Sequence, residues 1–278
     1  MDIRELIMEK SGDMSPIQKH IATAIMNAPE PVAFMTAAQL GRYASVSEAS
    51  VVRFVRVLGF SRYNEFKKAL SHILIDRLST TERSKDLATL TDEGLYASVL
   101  QREIDVMVSA KENLRDDTID TLGRAIAASP AVYVCSCRSS HSLGYYLAFY
   151  LSWFLPRVRT LEHASAFEVL GTAPAESIVI GISFPRYTRW TVNILRHAHA
   201  SGLTVATLTN DLGSPLASIS KFTLTMPYRL VSFIDSFAVP MSVINCLILS
   251  VFRACGEEGR VRLERLEKIW RKENTYIK

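Results

Sequence analysis

The chain is poor in what a metal or redox centre needs. Its four cysteines stand at positions 135, 137, 246 and 255, and the close pair Cys135-x-Cys137 has no second pair at ligand spacing. Reduced, structural thiols are the expectation, with neither a disulfide framework nor a bound metal. His197-x-His199 falls in a helical stretch, where residues two apart diverge by about 200° and cannot share an ion. No apolar run reaches the roughly 18–20 residues that span a bilayer; the longest, Leu143 to Leu155 and Met241 to Phe252, read as buried helices. Met1 to Lys10 alternates acidic, basic and apolar residues and does not form a secretion signal. There is no internal repeat, no low-complexity tract and no sign of a cofactor. Neither sign of charge dominates, since 32 Lys and Arg against 28 Asp and Glu leave +4. A cytoplasmic protein with no membrane partner is expected.

What is present is apolar material for more than one core: 48% of 278 residues are hydrophobic, and two domains are expected. The first is organised around S-V-S-E-A-S-V-V-R-F-V-R-V-L-G-F, Ser45 to Phe60. Ser47 suits a helix N-cap. At about 100° per residue, Val51, Phe54, Val55 and Leu58 share one stripe, and Gly59 stops the helix. The other arc carries Ala49, Ser50, Arg53, Arg56 and Val57. Small side chains there permit close approach to a major groove, and an arginine can reach guanine edges or phosphates. An amphipathic helix with solvated arginines would carry the same pattern, so the context decides.

That context is helical on both sides. M-T-A-A-Q-L-G-R-Y-A predicts a short helix capped by Thr36, with Ala38, Leu40 and Tyr43 inward. Ala44 to Val46 separates it from the next helix, the length of a helix-turn-helix corner. Upstream, Ser15 and Pro16 open a helix that keeps Ile17, Ile21, Ala24 and Ile25 in step. Downstream, Ser61 opens another, with Tyr63, Phe66, Leu70, Ile73 and Leu74 inward. Between Leu40 and His72 six cations, Arg42, Arg53, Arg56, Arg62, Lys67 and Lys68, stand against two carboxylates, Glu48 and Glu65. Such a balance suits a phosphate backbone.

S-P-I-Q-K-H-I-A, then V-A-F-M-T-A-A-Q-L, then the Ser45–Phe60 stretch resembles the N-terminal helix-turn-helix of RpiR-type bacterial transcriptional regulators, with Tyr63, Glu65, Phe66 and Lys67 continuing the likeness. The family often has glycine where Ser45 stands, and a left-handed residue other than glycine costs on the order of 1 kcal/mol. Candidate DNA contacts are Arg42, Ser47, Ala49, Ser50, Arg53, Arg56, Lys67 and Lys68, facing a double-stranded operator. A first domain over residues 1–78, a polar linker over 79–94 and a second domain over 95–278 are expected.

From Ser129 the rhythm becomes strand, loop, helix. A-V-Y-V-C-S-C, R-V-R-T-L-E, S-I-V-I-G-I-S-F, T-V-A-T-L-T-N and F-T-L-T-M-P predict five strands. With helices between them, including one from Leu143 to Leu155, they argue a doubly wound, five-stranded parallel α/β sheet behind the all-α first domain. In such sheets ligands bind beyond the carboxyl ends of the strands. Two loops at that edge are rich in hydroxyls, Ser136 to His141 after the first strand and Ser183 to Arg189 after the third. Hydroxyls and free amides at a helix N-terminus suit a phosphate, although they also suit an ordinary cap.

S-C-R-S-S-H-S-L-G-Y-Y-L-A, I-S-F-P-R-Y-T-R-W-T-V and L-T-N-D-L-G-S-P-L-A resemble the sugar-isomerase (SIS) domain that follows the helix-turn-helix in those regulators. The resemblance implies a phosphosugar or related anionic metabolite as effector, with Ser139 and Ser140 in the first loop and Ser183 and Thr188 in the second. Pro185 and Arg186 replace a serine and a glycine common in the family, so Arg186 joins the candidates as a cationic clamp. A homodimer or tetramer, paired through the second domain, is also expected. Two rival readings are an aldose–ketose isomerase and a protein-binding adaptor. An isomerase needs a positioned base, for which only His141 and Asp235 can be nominated; neither lies in an identifying signature, and they read rather as a helix-start residue and the N-cap of the apolar helix that follows.

Overall fold

The computed structural model describes residues 3–27, 32, 35–67, 69–70, 95–231 and 233–277. The chain divides into two compact units, Met1–Leu87 and Ala88–Lys278.

The first unit is helical: α1 (Ile3–Lys10), α2 (Pro16–Asn27), α3 (Ala37–Tyr43) and α4 (Glu48–Val57), with helical turns again at 63–67. Their starts are local chemistry. Ser15 and Gln18 exchange side-chain-to-backbone bonds at 2.8 and 3.3 Å, and Thr36 and Gln39 do the same at 2.7 and 3.2 Å, two reciprocal capping boxes. The core holds Ile21, Ile25, Leu40, Val51, Phe54, Val55, Leu58, Phe66 and Leu70. Two expectations fail here: Ile17 is 53% and Tyr43 49% exposed. Ile17 lies in the first turn of α2, where Ser15 and Pro16 are exposed too, and the buried face begins a turn later. The sequence reading also passed over α1, whose Ile3, Leu6 and Ile7 are buried at helical spacing. Lys68, Ile73, Leu74 and the whole expected linker, 79–94, lie outside the described residues.

The second unit opens with α5 (Leu95–Asn113) and α6 (Asp116–Ala128). It then alternates β1 (Val132–Ser136), α7 (His141–Leu151), β2 (Val158–Thr160), α8 (Ala166–Gly171), β3 (Ile178–Ile182), α9 (Arg189–Ala200), β4 (Thr204–Thr209) and β5 (Phe222–Thr225). All five strands pair in parallel in the order β2-β1-β3-β4-β5. On one face Val132, Val134, Ile178, Ile180 and Leu208 pack with α6 and α7; on the other, Tyr133, Cys135, Val179 and Val205 pack with α8 and α9. Burial on both faces is why these strands read as continuous apolar runs.

Two features differ from the sequence reading. A short antiparallel hairpin, β6 (Arg229–Val231) and β7 (Ile234–Ser236), precedes the last helix, α10 (Ala238–Lys272). Asp235 therefore lies in β7 and is not the helix cap; the residue before α10 is Phe237, which makes no side-chain cap bond. The second difference is that α7 starts two residues earlier and ends four residues earlier than expected, giving way to turns at Ser152–Phe154. Among the described residues α10 is the one helix long and apolar enough to cross a membrane. Its Val239, Val243, Ile244, Leu247 and Val251 are buried in the sheet's core, and Gly256 (φ 55°, ψ −135°) kinks it.

Candidate nucleic-acid interface and effector site

In the first unit the corner between α3 and α4 is set by Gly41 and Ser45. A side chain at position 41 would put its Cβ 2.9 Å from the Val46 carbonyl, and the Val46 amide donates to the Gly41 carbonyl at 2.8 Å. Ser45 takes φ 51°, the left-handed conformation that glycine would adopt without cost. Ser47 caps α4 by accepting from the Ser50 amide at 3.2 Å, and the two hydroxyls lie 2.9 Å apart. Arg53 donates to the Ser50 hydroxyl at 3.4 Å. Val51, Phe54 and Val55 are fully buried, whereas Ala49, Arg53, Arg56 and Val57 are exposed. Arg42 is exposed on α3 and Lys67 is half-buried. One contact was not foreseen. Lys10 of α1 donates to the Val57 carbonyl at 2.8 Å, placing a cation at the negative end of α4. Tyr63 donates to the Met35 carbonyl at 3.2 Å, and burial pushes its pKa up to about 12.

In the second unit the two hydroxyl-rich loops leave adjacent strands. Ser136 of β1 pairs with Ile182 of β3, so Cys137 and Ser183 leave the sheet side by side. β1 connects through α7 on one face and β3 through α9 on the other. This is the reversal of strand order at which open α/β sheets form their crevice. Both loops hold an arginine in the left-handed region, Arg138 at φ 56° and Arg186 at φ 65°. Backbone strain at non-glycine positions costs about 1–3 kcal/mol and gathers at functional sites.

The individual groups differ in exposure. Ser139 is exposed and Ser140 is buried at the entry to α7. Ser183 is buried, and its hydroxyl accepts from the Thr188 amide at 3.4 Å; the Thr188 and Thr191 hydroxyls lie 2.7 Å apart. Arg186 is exposed, next to buried Pro185. Ser136 is buried, and its hydroxyl has no hydrogen-bond partner. Gly144 lets α7 close over it, since a Cβ there would come within 2.0 Å of that oxygen. Cys135 is fully buried, and burial raises its thiol pKa well above the ordinary range, as befits a structural thiol.

The sequence missed the partners that tie the loops together. Tyr187 donates to Asn210, beyond β4, at 2.7 Å. Asp235 accepts from the Ser139 hydroxyl and from the Tyr228 hydroxyl, each at 2.5 Å. The Tyr228 ring stacks on Phe184 at 5.0 Å. Read locally, Asp235 is a helix cap or a candidate base, and nothing local to the hairpin marks the long-range contact. His141, the other nominated base, is exposed as the first residue of α7.

Comparison with known proteins agrees with this layout. Residues 1–76 match the helix-turn-helix domain of the rpiR family and residues 125–250 match the SIS domain. An HTH-type transcriptional regulator of Thermotoga maritima is 25% identical over 236 residues, which is 81% of this chain and 81% of that protein. The sugar isomerase domain of the RpiR transcription factor from Sphaerobacter thermophilus superposes with a TM-score of 0.59 at 22% identity, covering 63% of this chain and 99% of that one. The Vibrio vulnificus NanR protein, solved in complex with ManNAc-6P, gives 0.58 at 19% identity and covers 95% of this chain and 97% of its own. At these identities the solved structures speak for the fold.

Proposed function

Because this chain belongs to the RpiR family of transcriptional regulators, with a helix-turn-helix domain followed by a SIS domain, we propose that α4 reads its operator and that the loops after β1 and β3 sense a phosphosugar or related anionic metabolite. DNA recognition is assigned to residues 1–78 and effector binding to 95–278. Arg53 and Arg56 would meet bases and phosphates from the exposed arc of α4, with Arg42 and Lys67 on the backbone. Ser47 and Ser50 would approach the DNA from a cap that also fixes the helix start.

The observation that carries the effector reading is the meeting of the two hydroxyl-rich, arginine-bearing loops at the reversal of strand order. Ser139, Ser140, Ser183 and Thr188 supply hydroxyls there, and Arg186 a guanidinium. Each charge-assisted bond to a dianion contributes roughly 1.5–3 kcal/mol. The NanR complex, whose fold this chain shares, supports a phosphorylated sugar as the class of ligand. Sensing is favoured over isomerisation because the chain also carries a helix-turn-helix domain, which a simple isomerase does not need.

The test is a calorimetric screen of phosphosugars, sugar acids and their neutral parents, together with operator gel shifts. Phosphorylated ligands should bind about 100-fold or more tightly than their neutral parents, the loss of two such bonds. Arg186→Ala should lose the effector response and keep operator binding. Equal binding of charged and neutral forms overturns the assignment.

Pairing is part of the same reading, because a single helix-turn-helix covers a short half-site. α5 carries Tyr96, Leu100, Ile104 and Val108 at four-residue spacing, 82, 65, 55 and 52% exposed. A dimer or tetramer joined through the second unit, on a palindromic operator, is expected. A single-chain mass by light scattering at micromolar concentration would refute it.

A further inference from the structure

The hairpin β6–β7 puts a carboxylate where the effector's anion is expected. Asp235 accepts a hydrogen bond from the Ser139 hydroxyl on one oxygen and from the Tyr228 hydroxyl on the other, both at 2.5 Å. Tyr228 in turn stacks on Phe184, the residue after Ser183, at 5.0 Å, and Phe237 packs on the same ring at 5.5 Å. The hairpin thus holds the β1 loop through a hydrogen bond and the β3 loop through an aromatic stack. Three residues after Asp235 the chain enters α10, which packs on α6 and α5. Ser250 and Arg253 of α10 both bond Asp120 of α6.

A serine hydroxyl has one proton to donate. While Asp235 holds it, Ser139 cannot donate to an oxyanion, and a second anion beside the carboxylate is repelled. A carboxylate and a phosphate oxygen are the same kind of acceptor, so the one can replace the other. Asp235 is partly exposed and can withdraw toward water.

We propose that Asp235 is an internal anion that latches the effector site, and that an effector oxyanion displaces it from Ser139, releasing the hairpin and the entry to α10. This rests on the anion-sensing reading of the site. It makes the hairpin the element on which effector binding acts, with α10 as its continuous extension toward α6 and α5.

The test combines hydrogen exchange of peptides covering residues 228–237 with titration by inorganic phosphate. In the wild-type chain, phosphate should accelerate exchange of the hairpin. Asp235→Asn removes the competing charge; it should exchange fast without phosphate and bind phosphate about tenfold more tightly or better. Ser139→Ala should free the hairpin equally, yet weaken phosphate binding, because it removes the donor both anions share. Tyr228→Phe, a milder change that keeps the ring, should raise hairpin exchange and tighten phosphate binding to a smaller degree, and it serves if Asp235→Asn does not fold. Unchanged or weaker phosphate binding by Asp235→Asn, or slower hairpin exchange on adding phosphate, overturns the latch while the anion site stands. Phosphate binding by neither wild type nor Asp235→Asn overturns the anion-sensing reading itself, and the latch with it.

Discussion

The two units arrange their function-bearing residues in opposite ways. In the first, the ten consecutive residues of α4 contribute to the core and form the centre of the candidate surface, with Val51, Phe54 and Val55 inward and Arg53 and Arg56 outward. In the second, the core comes from strands buried on both faces, and the candidate site is gathered from loops far apart in sequence. A one-helix site is specified by periodicity. A site at a strand reversal is specified by topology, and its side chains acquire partners that no local pattern announces.

Separate cores make the sharpest test of that contrast. Phe54 is fully buried in the first unit's core, and Phe54→Ala should cost about 3–5 kcal/mol there. Calorimetry should show the first unit's transition lowered or lost, with operator binding abolished and anion binding retained. Loss of both functions together would show that the units do not behave independently and would break the comparison.

The next effect concerns two glycines that allow close approach. A Cβ at Gly41 meets backbone, the Val46 carbonyl at 2.9 Å, whereas a Cβ at Gly144 meets the side chain of Ser136 at 2.0 Å. Either alanine should destabilise its own unit by about 1–3 kcal/mol. The difference is in rescue. Ser136→Ala removes the nearest atom and should recover part of the Gly144→Ala loss, while no single side-chain change should rescue Gly41→Ala. Thermal midpoints of the singles and the double decide it.

These contrasts explain what could be read from the chain. Both architectures, all five parallel strands and the capped start of α4 were legible, because periods near 3.6, apolar runs of strand length and caps are local signals. The two hydroxyl-rich loops were legible because they follow strands. The hairpin was not: β6 and β7 are three residues each, too short for an alternation to register, and Asp235 before an apolar helix imitates a cap. α1 is not legible because its three buried positions in eight residues are interspersed with charges. Ile17 was misplaced because spacing alone does not say which turn of a helix lies over the core.

Strain gives a smaller and more discriminating effect. Ser45, Arg138 and Arg186 all hold positive φ, at 51°, 56° and 65°. Glycine at each should relieve about 1 kcal/mol. For Ser45→Gly the gain should appear as a higher midpoint of the first unit with operator affinity unchanged, because Ser45 is exposed in the corner and outside the candidate contacts. Arg186→Gly should likewise stabilise its unit, yet lose the anion response together with the guanidinium. If Arg186→Gly both stabilises and responds normally, the strain in the β3 loop is unrelated to binding, and the two units treat strain alike.

A further effect separates the units by pH. Tyr63 belongs to the first unit, and burial raises its pKa to about 12, against about 10 in an unfolded chain. The folded state favours the neutral phenol, so this contribution is complete below pH ~10 and falls away as pH rises toward the folded value. Asp120 belongs to the second unit, and its pKa is lowered, first by the Ser250 hydroxyl that donates to it at 2.7 Å and then by Arg253. The folded state favours the carboxylate, so this contribution is present above the ordinary carboxylate range near ~4 and is lost as pH falls below it. Midpoints followed across pH should therefore show an alkaline loss in the first unit that Tyr63→Phe reduces, and an acid loss in the second that Asp120→Asn reduces. Each substitution should leave the other unit's profile unchanged. An alkaline profile untouched by Tyr63→Phe would mean that its phenol is as well solvated as in the unfolded chain, and that the bond to Met35 is not held in solution.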